Sequence, residues 1–157
     1  MKFKGLEEYE RILHKIYAFT PEMIKQTVKA GGDVMADAMR SSIEGIPVDN
    51  RRAQEGEMLQ GISTLQKTGL LESFGVAPVR NDDGYVNVKL GFDGYNGLHT
   101  TKYPKGQPNA MIARAVNSGT SFRQKYPFVD RTVREYKKKT EDAMIKKFDE
   151  AMKAIVD

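Results

Sequence analysis

Turn-forming residues are concentrated in the middle of this chain. Eleven of its 14 glycines lie between Gly45 and Gly119, and five of its six prolines lie between Pro47 and Pro127. Glycine and proline interrupt regular helices and favour turns. The distribution therefore predicts helices near both ends of the chain, with strands, turns and loops between them.

Ahead of this region, two amphipathic patterns follow each other. Apolar residues recur every three or four positions over 6–17, and the same spacing returns over 21–43. Between them stands Thr20-Pro21-Glu22, where a hydroxyl can cap a helix, proline suits the first helical position and an acid suits the positive end of the helix dipole. We therefore expect two helices, the second beginning at the proline.

The central region combines a polar segment with one clear strand pattern. Residues 45–67 predict an insertion-like loop with a weak helical turn, whereas residues 68–75 are apolar enough to lie against the core. Apolar and polar residues alternate over 85–92, which is typical of a half-buried strand. The preceding Asn-Asp-Asp-Gly at 81–84 is typical of a hairpin turn. We expect a β-hairpin over 76–92.

After the hairpin, the sequence predicts a long loop and two further helices. Residues 93–108 contain glycines and prolines without periodicity, which indicates a loop. Asn109 is placed to cap a short helix over 109–117, and Gly119 is placed to end it. Periodic apolar residues over 128–156 predict a final helix of about 40 Å, at about 1.5 Å per residue. We expect part of that helix to project toward a partner.

These elements together predict the α+β class. The chain has 157 residues, a length that fits one domain, so we expect a single domain over 1–157. Its small antiparallel sheet would pack with the N-terminal helices and the one long C-terminal helix.

Composition narrows the chemistry that the chain can perform. It contains no cysteine and two histidines, which removes thiolate chemistry and multi-histidine metal sites within one chain. The sequence has no phosphate-binding loop, no nucleophile elbow and no His-Glu-x-x-His motif. No apolar run approaches the roughly 20 residues that span a bilayer. We expect a soluble protein made inside the cell, with no enzyme activity, no catalytic residue, no cofactor, no metal and no membrane partner.

The long loop after the hairpin is the best candidate for a binding surface. It interleaves apolar and aromatic residues with cations, namely Tyr95, Leu98, Lys102, Tyr103 and Lys105. Aromatic rings beside cations can anchor a protein partner, and they can also stack bases and neutralise phosphates. The nucleic-acid alternative would use Lys102, Lys105, Arg114, Arg123 and Lys125. The net charge is only +4, and we therefore favour a protein partner.

Two blocks of sequence carry a resemblance to a known family. The first block is Pro47-Val48-Asp49 with Thr68-Gly69-Leu70-Leu71-Glu72-Ser73, and the second is Gly119-Thr120-Ser121 with Pro127-Phe128 before the final helix. In this order they resemble the tail-completion or head–tail joining proteins of long-tailed phages, often described as putative tail components. Residues 50–67 interrupt the first block, which the family runs on directly as Pro-Val-Asp-Thr-Gly.

The resemblance implies a structural protein of the phage virion. Such a protein would assemble in the host cytoplasm, associate with its own copies into a ring at the head–tail interface, and contact other connector or tail proteins. DNA would pass through the lumen of the ring, as a non-specific contact at most. The loop (Tyr95, Leu98 and Tyr103) and the projecting final helix are the expected contact surfaces. The motif residues themselves have structural explanations in turns and helix ends.

Overall fold

A computed structural model of the chain describes residues 6–157. Within that range it contains four helices and four short strands, in the order α1 (Leu6–Glu44), α2 (Thr64–Ser73), β1 (Phe74–Val76), β2 (Arg80–Asp82), β3 (Tyr85–Asn87), β4 (Leu90–Phe92), α3 (Asn109–Ser118) and α4 (Phe128–Val156). The α+β prediction is confirmed. No helix in this range is both long enough and apolar enough to cross a membrane.

The first helix continues through Pro21, so the prediction of two helices over 6–17 and 21–43 is wrong. Proline lacks the N–H that would bond the carbonyl four residues earlier, which costs about 3 kcal/mol inside a helix. The Thr20 hydroxyl donates to the Ile16 carbonyl four residues earlier at 2.6 Å, so this side chain bonds within the helix and does not cap a new one. The apolar pattern also persists past the proline, where the buried Met23 lies beside α4. The packing of α1 beside α4 therefore outweighs the tendency of Thr20-Pro21-Glu22 to begin a new helix.

Helices α1 and α4 pack against each other over much of their length. They lie in close contact at Gly31, where a β-carbon would lie 2.7 Å from the Met144 sulfur. At the far end, Met23 shares a groove with Ala151 and Ala154. The two helices therefore run antiparallel, and the end of α4 remains packed against the first half of α1.

The main core lies where the C-terminal end of α1 meets the start of α4. Its buried members are Ala36, Met39, Ile43, Ile46, Ile62, Leu70, Phe74, Ile112, Ala113, Val116 and Phe128. The ring of Phe92 lies 5.3 Å from that of Phe74 and 6.3 Å from that of Phe128. Because no member of this cluster precedes Ala36, the antiparallel α1–α4 pair extends away from the core.

The predicted hairpin is present, with its ladder interrupted in the middle. Strand β1 pairs with β4 and β2 pairs with β3, both antiparallel. The turn has positive φ at Asp83 (53°) and Gly84 (92°), as a two-residue type I′ turn requires. The ladder breaks at Pro78, which has no N–H to donate, although Ala77 N–H still reaches the Lys89 carbonyl at 2.8 Å.

The weak helical turn predicted within 45–67 is the first turn of a full helix, which continues through residues 68–73, for which only a position against the core is predicted. Helix α2 begins at Thr64 behind a capping box, in which the Ser63 hydroxyl accepts from Gln66 N–H and the Gln66 side chain accepts from Ser63 N–H. This reciprocal pair satisfies two N–H groups that would otherwise lack partners. The irregular part of the segment is therefore shorter, covering 45–63.

Helices α3 and α4 lie within one residue of their predicted positions, and Gly119 ends α3 as predicted, whereas the cap predicted for the start of α3 is wrong. Asn109 is the first residue of α3 rather than its cap, and its side-chain amide donates to the Asp93 carbonyl at 2.9 Å. The cap of α4 comes from α3. The Asn117 side-chain oxygen Oδ1 accepts from the backbone N–H groups of Val129 at 3.0 Å and Asp130 at 3.2 Å.

Replacing Pro21 by alanine tests the continuous helix. Pro21→Ala restores a backbone donor within α1, so we expect the surrounding amides to be better protected, by up to about 3 kcal/mol. Amide hydrogen exchange across 17–25, with far-ultraviolet circular dichroism, measures the effect. If a separate helix began at this residue, the substitution would be neutral or unfavourable, because proline is preferred at a first helical position.

Candidate functional site

The loop over 93–108 is closed at its base by the chain itself. Asn96 N–H donates to the Gln107 carbonyl at 2.9 Å, and Asn109 N–H donates to the Gly94 carbonyl at 3.0 Å. The buried Asn96 side chain also accepts from the backbone N–H groups of Leu98 and Gln107, each at 3.0 Å. A long surface loop with adjacent ends and its own internal packing is an Ω-loop, a type that is frequently functional. We call residues 93–108 the Ω-loop below.

Three of the five residues predicted to form a binding surface are exposed on the Ω-loop. Tyr95 is 61% exposed, and the side chains of Lys102 and Lys105 are also exposed. Leu98 and Tyr103 are half-buried. The Tyr103 hydroxyl lies 3.3 Å from the sulfur of Met111, so this ring fastens the loop to α3. The Lys102 ammonium lies 5.5 Å from the centre of the same ring.

A cleft of about 400 Å³ separates the Ω-loop from α2. Its walls join four residues of the first sequence block, Thr68, Gly69, Glu72 and Ser73, with Tyr95 and Asn96 of the loop. At Gly69 a β-carbon would lie 2.7 Å from the Asn96 β-carbon, so glycine allows the helix and the loop to touch. The first sequence block and the Ω-loop, which are separate in the sequence, therefore form one surface.

The cleft is suited to hydrogen bonding with a polypeptide. Besides the hydroxyls and the buried amide, it is lined by the carboxylates of Glu72 and Asp93. Hydroxyl and carboxylate groups can accept backbone N–H and side-chain donors. Across residues 6–157, no cluster of three histidine or carboxylate side chains could hold a metal ion.

Two buried amide side chains, Gln66 and Asn96, and the half-buried Gln107 connect the Ω-loop to the rest of the molecule. The Gln107 side-chain oxygen accepts from Gln66 Nε2 at 2.8 Å and from Asn96 Nδ2 at 3.2 Å. Gln66 is also the capping-box residue of α2. The sequence reasoning missed all three amides, because Asn and Gln in a polar segment read as solvent-exposed. The one available signal was Ser63 three residues before Gln66, which fits a capping box.

Arg123, in the spacer between the two parts of the second sequence block, joins this amide network. Its side chain is buried, and Nη1 donates to the Gly61 carbonyl at 2.8 Å and to Gln66 Oε1 at 3.4 Å. Burial lowers the pKa of Arg123, while the negative charge of Asp49 raises it. Of the five cations in the nucleic-acid alternative, Arg123 lies inside, whereas Lys102, Lys105, Arg114 and Lys125 are exposed.

Pro47-Val48-Asp49 lies directly beside the end of the inserted segment. The Pro47 carbonyl accepts from Ile62 N–H at 3.0 Å, and Asp49 N–H donates to the Ile62 carbonyl at 2.8 Å. Val48 forms an isolated parallel bridge with Ile62 between these two bonds. A β-carbon at Gly61 would lie only 2.0 Å from the Pro47 oxygen, so glycine permits this contact. The two ends of the inserted segment therefore lie next to each other, at the contact between residues 47–49 and residues 61–62.

The Asp49 carboxylate holds the inserted segment together. It accepts from Arg51 Nε at 2.9 Å and Nη2 at 2.8 Å, and from Gln60 N–H at 3.0 Å. The Asp49 side chain is 8% exposed, although that of Arg51 is 62% exposed. These bonds, the Arg51 guanidinium first and the Gln60 amide second, hold the pKa of Asp49 well below its usual range.

The other motif residues lie at helix ends and in the core. Gly119 follows α3 with φ 76°, which L side chains rarely adopt. Thr120 N–H donates to the Arg123 carbonyl at 3.0 Å, and the exposed Ser121 lies in the turn that this bond closes. Pro127 precedes α4, whose first residue, Phe128, is fully buried. Leu71 is half-buried against the core.

Two alanine substitutions within the Ω-loop test its closure. A β-carbon at Gly106, where φ is 98°, would lie 2.0 Å from the Asn96 carbonyl oxygen, whereas one at Gly97 meets only ordinary contact. We expect Gly106→Ala to open the loop and to deprotect the amides of Asn96 and Gln107, while Gly97→Ala leaves them protected. Hydrogen exchange measures both variants, and equal protection would contradict this account of the loop.

Acid titration tests the role of Asp49. Because its folded pKa is depressed, its carboxylate stabilises the fold above its unfolded pKa of about 3.9, and this contribution disappears as the pH falls from there toward the folded pKa. We expect Asp49→Asn to unfold at lower urea concentration than the unchanged chain at pH 7, and the difference to shrink below pH about 4. Glu55→Gln, in the same segment, is the control. A difference that stays constant with pH would contradict this role.

No protein-family model, curated protein or solved structure matches this chain. The family resemblance therefore continues to rest on the two sequence blocks alone.

Proposed function

We propose that this chain is a structural virion protein, a tail-completion or head–tail joining component that assembles with other phage proteins in a ring at the head–tail interface. The proposal rests on the resemblance of the two sequence blocks. The cleft between α2 and the Ω-loop supports it, because Thr68, Gly69 and Ser73 of the first block line the same surface as the exposed Tyr95. A motif that borders an exposed aromatic loop suits a protein whose task is to be bound.

The Ω-loop has the properties of an interface anchor. Tyr95 offers a large exposed ring on a loop that is already closed, so binding does not have to order the backbone. Tyrosines that become buried against a partner often dominate the binding energy, while exposed cations such as Lys102 and Lys105 suit the polar rim. These properties favour a protein partner over a small molecule.

Ring assembly needs a second, different surface on each chain, because neighbouring subunits meet head to tail. The outward side of α4 suits this role, since Ile145 is 59% exposed and Phe148 is 40% exposed. In the proposed ring, the Ω-loop of one subunit contacts the outward side of α4 in the next subunit. Both surfaces are exposed in the single chain.

Nucleic-acid binding has weaker support as a primary function. Arg123 is committed to interior hydrogen bonds, and Lys102 stacks against Tyr103 in its own loop. A nucleic-acid binder of this kind would bind DNA or RNA at low salt and lose affinity steeply as salt is added. We expect no binding of that strength.

Electron microscopy of particles made without this protein tests the proposal. In the phage that encodes it, deletion of the gene is expected to give DNA-filled heads and finished tails that are not firmly joined. Expression of the chain from a plasmid should restore joined particles. Normal numbers of joined, infectious particles from the deletion would overturn the proposal.

Two tyrosine substitutions test the assignment of the interface. Tyr95→Ala should lower the yield of joined particles at least tenfold. This factor corresponds to about 1.4 kcal/mol of binding free energy, which the buried side chain of a tyrosine anchor can supply. Tyr85→Ala, at the tip of the hairpin, is the matched control, since Tyr85 is 73% exposed and lies away from the cleft. Plaque titres on complemented deletion phage measure both. Equal titres for the two variants would contradict the assignment.

A further inference from the structure

One side of the first half of α1 is apolar and uncovered. It carries Leu6, Leu13, Tyr17 and Ile24, which are between 36% and 83% exposed. Their spacings of seven, four and seven residues return to nearly the same side of a helix with 3.6 residues per turn. We call these four residues the α1 stripe. It is about 27 Å long, at about 1.5 Å per residue.

Helix α4 does not cover the α1 stripe because it packs on the neighbouring side of α1. Met23, which precedes the last stripe residue, is buried in the groove beside Ala151 and Ala154. Tyr17, in the middle of the stripe, is the most exposed large apolar residue of the molecule within the described range, at 83%. Aligned exposed apolar residues of this kind mark an interaction surface.

Charges beside the α1 stripe indicate which partner fits it. Glu7 and Lys25 are both exposed, and each immediately follows an end residue of the stripe, Leu6 or Ile24. They are 18 residues apart, which is five helical turns, so they lie on the same side of α1. The stripe therefore has an acid bordering its first end and a base bordering its last end.

A second α1 running antiparallel is complementary to this arrangement. It would place Leu6 of each copy over Ile24 of the other, and Leu13 over Tyr17. Each Glu7 would then lie beside a Lys25, giving two ion pairs related by a two-fold axis. A parallel arrangement would instead place both acids at one end and both bases at the other, so that neither ion pair could form.

We propose that the α1 stripe is covered by the α1 stripe of a second copy of this chain, in an antiparallel, two-fold symmetric contact. A single pair of helices over this length is at the small end of specific interfaces, so the dimer depends on concentration. The inference does not rest on the neck assignment. The Ω-loop and its cleft lie against the core at the other end of α1, so both contacts can form at once.

Charge exchange at the two bordering residues tests the register. Glu7→Lys alone brings two bases together, and Lys25→Glu alone brings two acids together, so each should weaken the dimer about tenfold. The double variant Glu7→Lys with Lys25→Glu should restore it. Glu8→Lys is the matched control, because residue 8 lies on the opposite side of the helix from the stripe. Sedimentation equilibrium at low salt, up to about 1 mM chain, measures the dissociation constants.

Engineered cysteines test the direction of the two helices, since the chain has no cysteine of its own. A mixture of Leu6→Cys and Ile24→Cys chains should form a disulfide-linked dimer under mild oxidation, while neither variant links to itself. Circular dichroism verifies that both variants fold. Linkage of each variant to itself would show a parallel contact and overturn the proposal. A chain that is monomeric at every concentration, or a dimer indifferent to these substitutions, would also overturn it.

Discussion

A network of two buried amides, one half-buried amide and one buried arginine holds the parts of this molecule in register. Asn96 in the Ω-loop bonds Gln107, Gln107 bonds Gln66 at the start of α2, and Gln66 accepts from Arg123. Arg123 then reaches the carbonyl of Gly61 at the end of the inserted segment. A buried polar group left without a partner costs about 1–3 kcal/mol, so each bond constrains the next. The loop, α2 and both sequence blocks therefore take positions that depend on one another.

This dependence explains how a chain with no recognisable catalytic motif can present a defined surface. The network fastens the Ω-loop to α2, and the contact of Gly69 with Asn96 sets the width of the cleft between them. Tyr95 is thereby held out on a loop whose backbone is already closed. Pre-organised exposed aromatic groups favour association with a protein, because little conformational entropy remains to be lost. The proposed neck function makes use of that property.

The sequence predicted those parts of the fold that depend on local periodicity. The hairpin turn at Asp83-Gly84 and the bounds of α4 follow from turn chemistry and from apolar spacing. The break assigned to Pro21 was wrong because packing against α4 is a long-range effect that no local pattern contains. The candidate loop was found from its composition. The amide network and the cleft were not, because polar residues at 66, 96 and 107 carry no sign of burial until the chain has folded.

The central claim is that the Ω-loop and the first sequence block together form the surface by which this chain is held in a virion. A cryo-electron microscopy reconstruction of the head–tail junction of the phage proposed to encode the chain tests it most directly. The account predicts a ring of density that fits this fold, with Tyr95 buried against a neighbouring protein. A junction that lacks the chain, or one in which the Ω-loop and its cleft face solvent in every subunit, would contradict it.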